Sequence, residues 1–360
     1  GANLRKPAVT IAVEGDEWNP EIDRTDTLVK ECTLEPKEII ARIAAAGIVG
    51  LGGATLPTQV KLSVPPGKTA EILIINGVEC EPYLTADYRL MMERGEELLV
   101  GCEILMQALG VEECAIGIEN NKPEAIKHLK GILAGGSYHS GIRLGPLNMR
   151  YPQWCEKQLI AAITRREVPS GALPIDVGAV VQNVGTTYAV YQAVQKRRPI
   201  VDRVVTVTGK GLGRPSNLLV RIGTPIHLLI EACGGMPEDT GKVINGGPMM
   251  GRAMANIEAP VTKGTSGVLL MSTGESMRGR EMPCIQCAKC VEACPMGLEP
   301  YLISKLSRLG IYDRLERERT ADCIECGCCA FTCPSNLPLL DYIRLGKAET
   351  LKIIRARQVK

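Results

Sequence analysis

Two stretches near the carboxyl end repeat one arrangement of cysteines. They are Cys284-Ile-Gln-Cys287-Ala-Lys-Cys290-Val-Glu-Ala-Cys294-Pro295 and Cys323-Ile-Glu-Cys326-Gly-Cys-Cys329-Ala-Phe-Thr-Cys333-Pro334. Both read C-x2-C-x2-C-x3-C-P. Thiolates at every third residue of a tight turn reach three iron corners of a cubane, and the fourth ligand comes from elsewhere. In chains with two such runs, the last cysteine of each serves the other cluster. The spacing therefore assigns Cys284, Cys287, Cys290 and Cys333 to one [4Fe–4S] cluster. Cys323, Cys326, Cys329 and Cys294 take the second. Pro295 and Pro334 fix the chain just after each crossing ligand. A pair of zinc sites would use paired C-x2-C arms instead of three equally spaced cysteines closed by Cys-Pro. The expected chemistry is electron transfer. Cys328 stands off the spacing and reads as a bystander thiol. The six cysteines before Gly246 share no spacing and read as packing residues.

A second dense site is Gly50-Leu-Gly52-Gly53-Ala-Thr-Leu-Pro57-Thr-Gln-Val-Lys61. It follows no predicted strand, so it fails the context of a dinucleotide-binding G-x-G-x-x-G. Two readings stay open. The glycines let backbone approach a flat ligand or a phosphate closely, with Lys61 as counter-charge, or they end a helix in a turn. Asn76-Gly-Val-Glu79-Cys-Glu81-Pro82 follows directly on the apolar run Ile72–Ile75. Acidic residues at a strand's carboxyl end stand where open α/β sheets bind ligands. Glu79 and Glu81 either accept from ribose hydroxyls or form a solvated turn.

The elements that must position these residues alternate along the first half. A helix is predicted from Pro36 to about Gly47, and strands over Ile72–Asn76, Ala115–Ile118 and Val177–Val184. Helices are predicted over Gly95–Leu109, from Pro123, over Trp154–Thr164 and over Thr186–Lys196. Such alternation implies βαβ units and a largely parallel sheet. Near Arg198-Pro199 the pattern changes. Strands over Arg203–Thr208, Leu218–Arg221 and Lys242–Asn245, with a short helix Thr224–Ala232, form a small α+β unit. Gly209–Gly213 reads as a hairpin turn. The cysteine region is mostly helical and ends in a mixed-charge tail. The division is 1–198, 199–259 and 260–360.

Composition excludes other classes. A net charge of +2 creates no field for nucleic acid, and 3% aromatic residues leave no base-stacking platform. The long uncharged stretches, Ile43–Val60 and Val177–Gln195, are broken by glycine, proline or polar residues and read as no membrane span. No secretory signal is visible. Clustered cysteines in such a chain point to metal thiolates in a reducing, intracellular compartment. The three histidines are scattered, and no Ser-His-Asp arrangement is evident.

The chain resembles the RnfC family, the third component of the Rnf complex, a membrane-associated electron-transport assembly. The resemblance rests on Gly47–Leu62, Ile74–Asp87, Val180–Thr186, Gly246–Gly251 and both cysteine runs. It starts after the lipoyl-like β domain with which such chains usually begin. More distantly, Gly50–Lys61, Asn76–Pro82 and Gln182–Thr186 are similar to the flavin subunit of respiratory complex I. The resemblance implies a Rossmann-like flavin/nucleotide α/β domain, a small β-grasp (SLBB) domain and an α-helical, ferredoxin-like domain with two [4Fe–4S] clusters. It implies that Gly50, Gly52, Gly53, Lys61, Asn76, Gln182, Asn183 and Thr186 hold FMN. Glu79 and Glu81 would face the flavin and NAD(H). In the complex I pattern a Gly-Glu-Glu segment stands where Trp154-Cys155-Glu156 stands here, so only Glu156 carries over. Val78 likewise replaces an acidic residue. The implied activity is NADH oxidation at FMN, with electrons passing through the clusters to other subunits of a membrane-bound Rnf-type complex. The ferredoxin pool would be reached indirectly. The implied location is cytoplasmic, peripheral on the inner (cell) membrane. A flavin/iron–sulfur cobalamin reductase of bacterial microcompartments is a rival enzyme. A flavin-free relay protein is a rival without catalysis. Flavin absorbance separates the relay, and the partner separates the enzymes.

Overall fold

A computed structural model of the chain describes Gly15 and residues 18–358. Four parallel strands form the first sheet: β1 (Ile72–Gly77), β2 (Glu113–Glu119), β3 (Ile142–Leu147) and β4 (Ala179–Asn183), in the order β3-β2-β1-β4. β1 pairs with β2 on one side and β4 on the other, so chain direction switches at β1. Ligands in open α/β sheets sit at such a switch, outside the carboxyl ends of the strands. Register places Asn76 beside Asn183 at that end.

Alternation within β1 decides which helices cover which face. Leu73 and Ile75 join a core with the helices Pro36–Ala45, Gly95–Leu109 and Val184–Gln195. Ile72 and Ile74 face Leu159 and Ile160 of the helix Glu156–Thr164. Strands buried on both faces read as continuous apolar runs, which is how β1 and β4 were legible. β3 was not expected. Its Gly145 and Pro146 are poor strand residues, tolerated because β3 is an edge strand. The helix Ala86–Glu93 was also not expected; it packs only Ala86, Leu90 and Met91 inward.

The second sheet has the order β6-β5-β9-β7-β8, with β5 Asp202–Thr208, β6 Ser216–Arg221, β7 Thr240–Asn245, β8 Arg252–Ala253 and β9 Gly267–Ser272. β5 and β6 form the antiparallel pair around the predicted hairpin turn. β9 lies beyond residue 259, yet it pairs parallel with β5 and antiparallel with β7. The sheet therefore extends to residue 272, closed by pairing distant in sequence.

The last region is helical. Pro300–Arg308 and Tyr312–Arg317 pack on the long helix Leu339–Gln358 through Ile303, Leu306, Leu315, Leu339 and Ile343. Cys290, Cys294, Cys323, Cys329 and Cys333 adjoin that core. Among the described residues no helix is long and apolar enough to cross a membrane.

One close approach in the first domain is testable. A Cβ added at Gly101, within Gly95–Leu109, would strike the carbonyl oxygen of Thr187 in the neighbouring helix. Backbone cannot yield as a flexible side chain does. Gly101→Ala is expected to destabilise the domain by about 1–3 kcal/mol. A lowered urea midpoint with unchanged slope checks this; an unchanged midpoint refutes it.

Candidate active site

The glycine segment forms a closed loop of its own. The amide of Gly50 donates to the Leu56 carbonyl at 2.9 Å, and that of Thr55 to the Gly50 carbonyl at 3.1 Å. Val49 and Pro57 bridge its base. Thr186 ties it to the helix Val184–Gln195: its hydroxyl oxygen accepts from the Leu51 amide at 2.9 Å. Asn183 caps that helix by accepting from the Thr186 amide at 3.3 Å. The helix Pro36–Ala45 has already ended before the loop begins. Gly53 lies at φ +112°, and a Cβ there would meet nothing within 4 Å. The loop thus presents bare backbone to open space.

That space is a cavity of about 540 Å³, inside the range of about 300–1,000 Å³ usual for small-molecule sites. Gly52, Gly53, Asn76, Glu79, Glu81 and Asn183 line it from the first domain. Arg203 and Gly247 close it from the second unit, and Ile324, Glu325 and Arg344 from the cysteine domain. Gly50, Lys61, Glu156, Gln182 and Thr186 stand outside this wall. Lys61 is paired with Glu156 at 2.6 Å and donates to the Val181 carbonyl at 3.2 Å.

Glu79 turns the chain back after β1. Its carboxylate accepts from the amides of Asp87 at 2.8 Å and Tyr88 at 2.9 Å, at the start of the helix Ala86–Glu93. Burial pushes its pKa up to about 8, and the Asp87 charge adds to the rise. The two amides and Lys122 oppose it. Asp87 is itself raised by burial, while Asn183 and Arg203 hold it down. The Asn183 amide donates to Asp87 at 2.6 Å. Burial lowers Arg203 to about 10, with Asp87 opposing.

Glu81 is engaged differently. One oxygen accepts from the amides of Met249 at 2.7 Å and Met250 at 3.0 Å. The other lies 3.2 Å from the Tyr151 hydroxyl. Its pKa is raised, mainly by burial. Asp87, Arg203, Tyr151, Gly247 and Arg344 were not among the expected site residues. Asp87 and Gly247 fall inside phrases that carried the family resemblance, so part of the signal was present.

The cavity carries a mark of a missing ligand. Trp154 lines it, and the buried indole Nε1 has no hydrogen-bond partner among the described residues. A buried donor left unpaired costs roughly 1–3 kcal/mol, which a ligand acceptor would relieve. With the open face of Gly53 and the volume, this fits a planar heteroaromatic ring bearing acceptors, as FMN does. Lys61 fits less directly as a phosphate counter-charge, since Glu156 already holds it.

The cysteines gather as two sets. Burial pushes the Cys290 thiol up, and the nearby Cys333 and Cys284 add to it. Cys329 is pushed up to about 12 by burial, reinforced by Cys323, Cys326 and Cys294. Cys333 thus neighbours the first run and Cys294 the second, as crossed ligation requires. Bound iron would override these values, because a coordinating thiol is deprotonated outright. Cys284 and Cys287 are exposed; Cys326 and Cys329 are buried. Among the described residues no three such side chains converge on one ion; a cubane needs ligands spread around it. Cys328 hydrogen-bonds Cys326. Burial raises Cys80 to about 12 and Cys155 above its ordinary value. Both are therefore poor nucleophiles.

Comparison with known proteins decides the family. Over 344 residues the chain is 47% identical to the C component of the proton-translocating ferredoxin:NAD(+) oxidoreductase complex of Clostridium ljungdahlii, covering 95% of this chain and 74% of that protein. The chain belongs to the RnfC family. It is 43% identical over 349 residues to the C component of the ion-translocating oxidoreductase complex of Rhodobacter capsulatus, covering 97% of this chain and 66% of that one. The corresponding component of the Na(+)-translocating ferredoxin:NAD(+) oxidoreductase complex of Acetobacterium woodii is 43% identical over 96% of this chain and 77% of its own length. Residues 43–192 match the Nuo51 FMN-binding domain, 204–253 the SLBB domain and 277–338 the 4Fe-4S dicluster domain. An NAD+-reducing [NiFe]-hydrogenase chain shares the fold, with a TM-score of 0.62 at 18% identity over 87% of this chain and 61% of that one. This RnfC-family chain is therefore an oxidoreductase component with an FMN-binding domain, an SLBB domain and a dicluster domain.

The Glu79 shift has a sign. Between its ordinary 4.5 and about 8, the folded chain holds a proton that the unfolded chain releases. Stability must then fall as pH rises through that window. Glu79→Gln removes this titration. The parent's urea midpoint is expected to drop from pH 5 to pH 8 more than the variant's; parallel declines refute the assignment.

Proposed function

We propose that this chain is the NADH-oxidising module of an ion-translocating ferredoxin:NAD oxidoreductase. Its cleft takes FMN and NAD(H), and its cysteines hold two [4Fe–4S] clusters that lead to partner subunits. The observation that carries this is the shared wall of the cleft. Ile324 and Glu325, which lie between Cys323 and Cys326, line the same cavity as Gly52 and Gly53. A cluster held by Cys323, Cys326, Cys329 and Cys294 would stand next to the cleft. The set Cys284, Cys287, Cys290 and Cys333 includes exposed thiols and would face outward. The relay then has an inner and an outer end.

FMN, when bound, accepts a hydride as an electron pair and releases the electrons singly to the clusters. The protein's part is positioning and electrostatics. Gly52 and Gly53 leave room at the loop, and Asn76 and Asn183 offer amides at the carboxyl ends of adjacent strands. Trp154 supplies an unpaired donor. Glu79, raised toward neutrality by burial, adds little negative charge to a cleft that must take anionic cofactors. Thr186 acts behind the loop, holding Leu51 in place. Lys61, Glu156, Gln182 and Gly50 support the cleft from outside its wall. Association with the cell membrane would come through partner subunits.

Gly53→Val places a branched side chain at φ +112° in the open face of the loop. It is expected to abolish flavin retention and cluster reduction by NADH, while dithionite still reduces both clusters. Normal flavin content with normal NADH-driven reduction removes the loop from the site.

The crossed ligand sets predict a second outcome. Anaerobically reconstituted parent should carry about eight iron atoms, and Cys294→Ala about four, with the cluster of Cys323, Cys326 and Cys329 lost. Iron analysis with electron paramagnetic resonance of the reduced protein checks this. A parent with about four or fewer overturns the two-cluster reading.

A further inference from the structure

We propose that Tyr151 and Glu81 form a latch that seats the cysteine domain on the wall of the cleft. Tyr151 is then a positioning residue for electron passage to the inner cysteine set. The kinetic consequence rests on the function proposed above; the contact itself does not.

Three units meet at this junction. The Tyr151 hydroxyl, from the loop before the helix Glu156–Thr164, lies 2.7 Å from the backbone carbonyl of Cys326. It lies 3.2 Å from Glu81. A phenol has one proton, and the shorter contact makes Cys326 its acceptor. The far oxygen of Glu81 holds the amides of Met249 and Met250, which follow the second sheet's β7. Arg344 crosses the same seam, donating to Glu325 at 3.1 Å and to the Met250 carbonyl at 3.0 Å. A Cβ at Gly247 would run into the Glu81 side chain, so the loop can approach only without one there.

These contacts are polar and few, and contacts of that kind leave domain motion as the default. Electron tunnelling weakens exponentially with separation, so a seam of this kind needs a fixed seat. Tyr151 reaches from the cleft domain directly to a residue of the inner cysteine set. Glu81 anchors the middle unit to the same point. Neither role requires either side chain to touch a reacting atom.

The test uses the cofactor-loaded chain under anaerobic conditions. Tyr151→Phe keeps the ring and removes the hydroxyl. It is expected to keep flavin, iron content and the KM for NADH, while single-turnover reduction of the clusters by NADH slows by about tenfold, the equivalent of one hydrogen bond. Hydrogen exchange gives a readout independent of turnover. Glu81→Ala should free the amides of Met249 and Met250 to exchange at least about tenfold faster. Glu81→Gln keeps a carbonyl acceptor and should restore their protection. Unchanged exchange in Glu81→Ala, or an unchanged cluster-reduction rate in Tyr151→Phe, overturns the latch. Faster exchange spread over the whole chain also overturns it, because that marks general destabilisation. If the parent binds no flavin, the functional reading fails while exchange still decides the contact.

Discussion

The cleft depends on how the chain reverses after β1. Glu79 sits at φ +43°, unusual for a residue with a side chain. Its carboxylate holds two amides at the start of the helix Ala86–Glu93, and Lys122 donates to the Val78 carbonyl at 2.8 Å. These bonds fold residues 77–85 back over the carboxyl end of the sheet. Glu81 is thereby carried toward the second sheet and the cysteine domain. Asp87 is carried toward Asn183 and Arg203. One buried acid therefore organises contacts to all three units, and burial that disfavours its charge is offset by the amides it receives.

The glycine loop follows a second constraint. Its base is closed by backbone hydrogen bonds, and Thr186 pins its centre to a helix start. Both supports lie behind the loop, so the ligand-facing side needs no side chains. The residues that resemble a flavin site therefore divide by role. Gly52, Gly53, Asn76 and Asn183 line the cavity, while Thr186, Lys61 and Glu156 lie outside its wall. A motif preserves both kinds together and does not distinguish them.

Electrostatics across the cleft follow from burial more than from net charge. Glu79, Glu81 and Asp87 are all raised, and Arg203 is lowered. Acid and base are each driven toward neutrality. Cys80 and Cys155, between the cleft and the cysteine domain, are driven toward neutral thiols in the same way. They fill space next to redox centres without offering a reactive thiolate.

The amino-acid sequence by itself determined the parts whose chemistry lies in local spacing. Two runs of C-x2-C-x2-C-x3-C-P define cluster ligands because thiolate spacing along a turn is set by the turn. Continuous apolar runs such as Ile72–Ile75 define buried strands because both faces are covered. What the tertiary structure decided concerns contacts between distant segments. β9 joins the second sheet by pairing with β5, from which β6, β7 and β8 separate it in the chain, and no local period encodes that. Pro146 lies in a strand only because β3 is at an edge. Lys61 meets Glu156, Glu81 meets Met249, and Tyr151 meets Cys326, each across a wide sequence gap. Such pairings appear only once packing sets which surfaces face each other, because charge and hydrogen-bonding capacity say what a side chain can bind and not what will be near it.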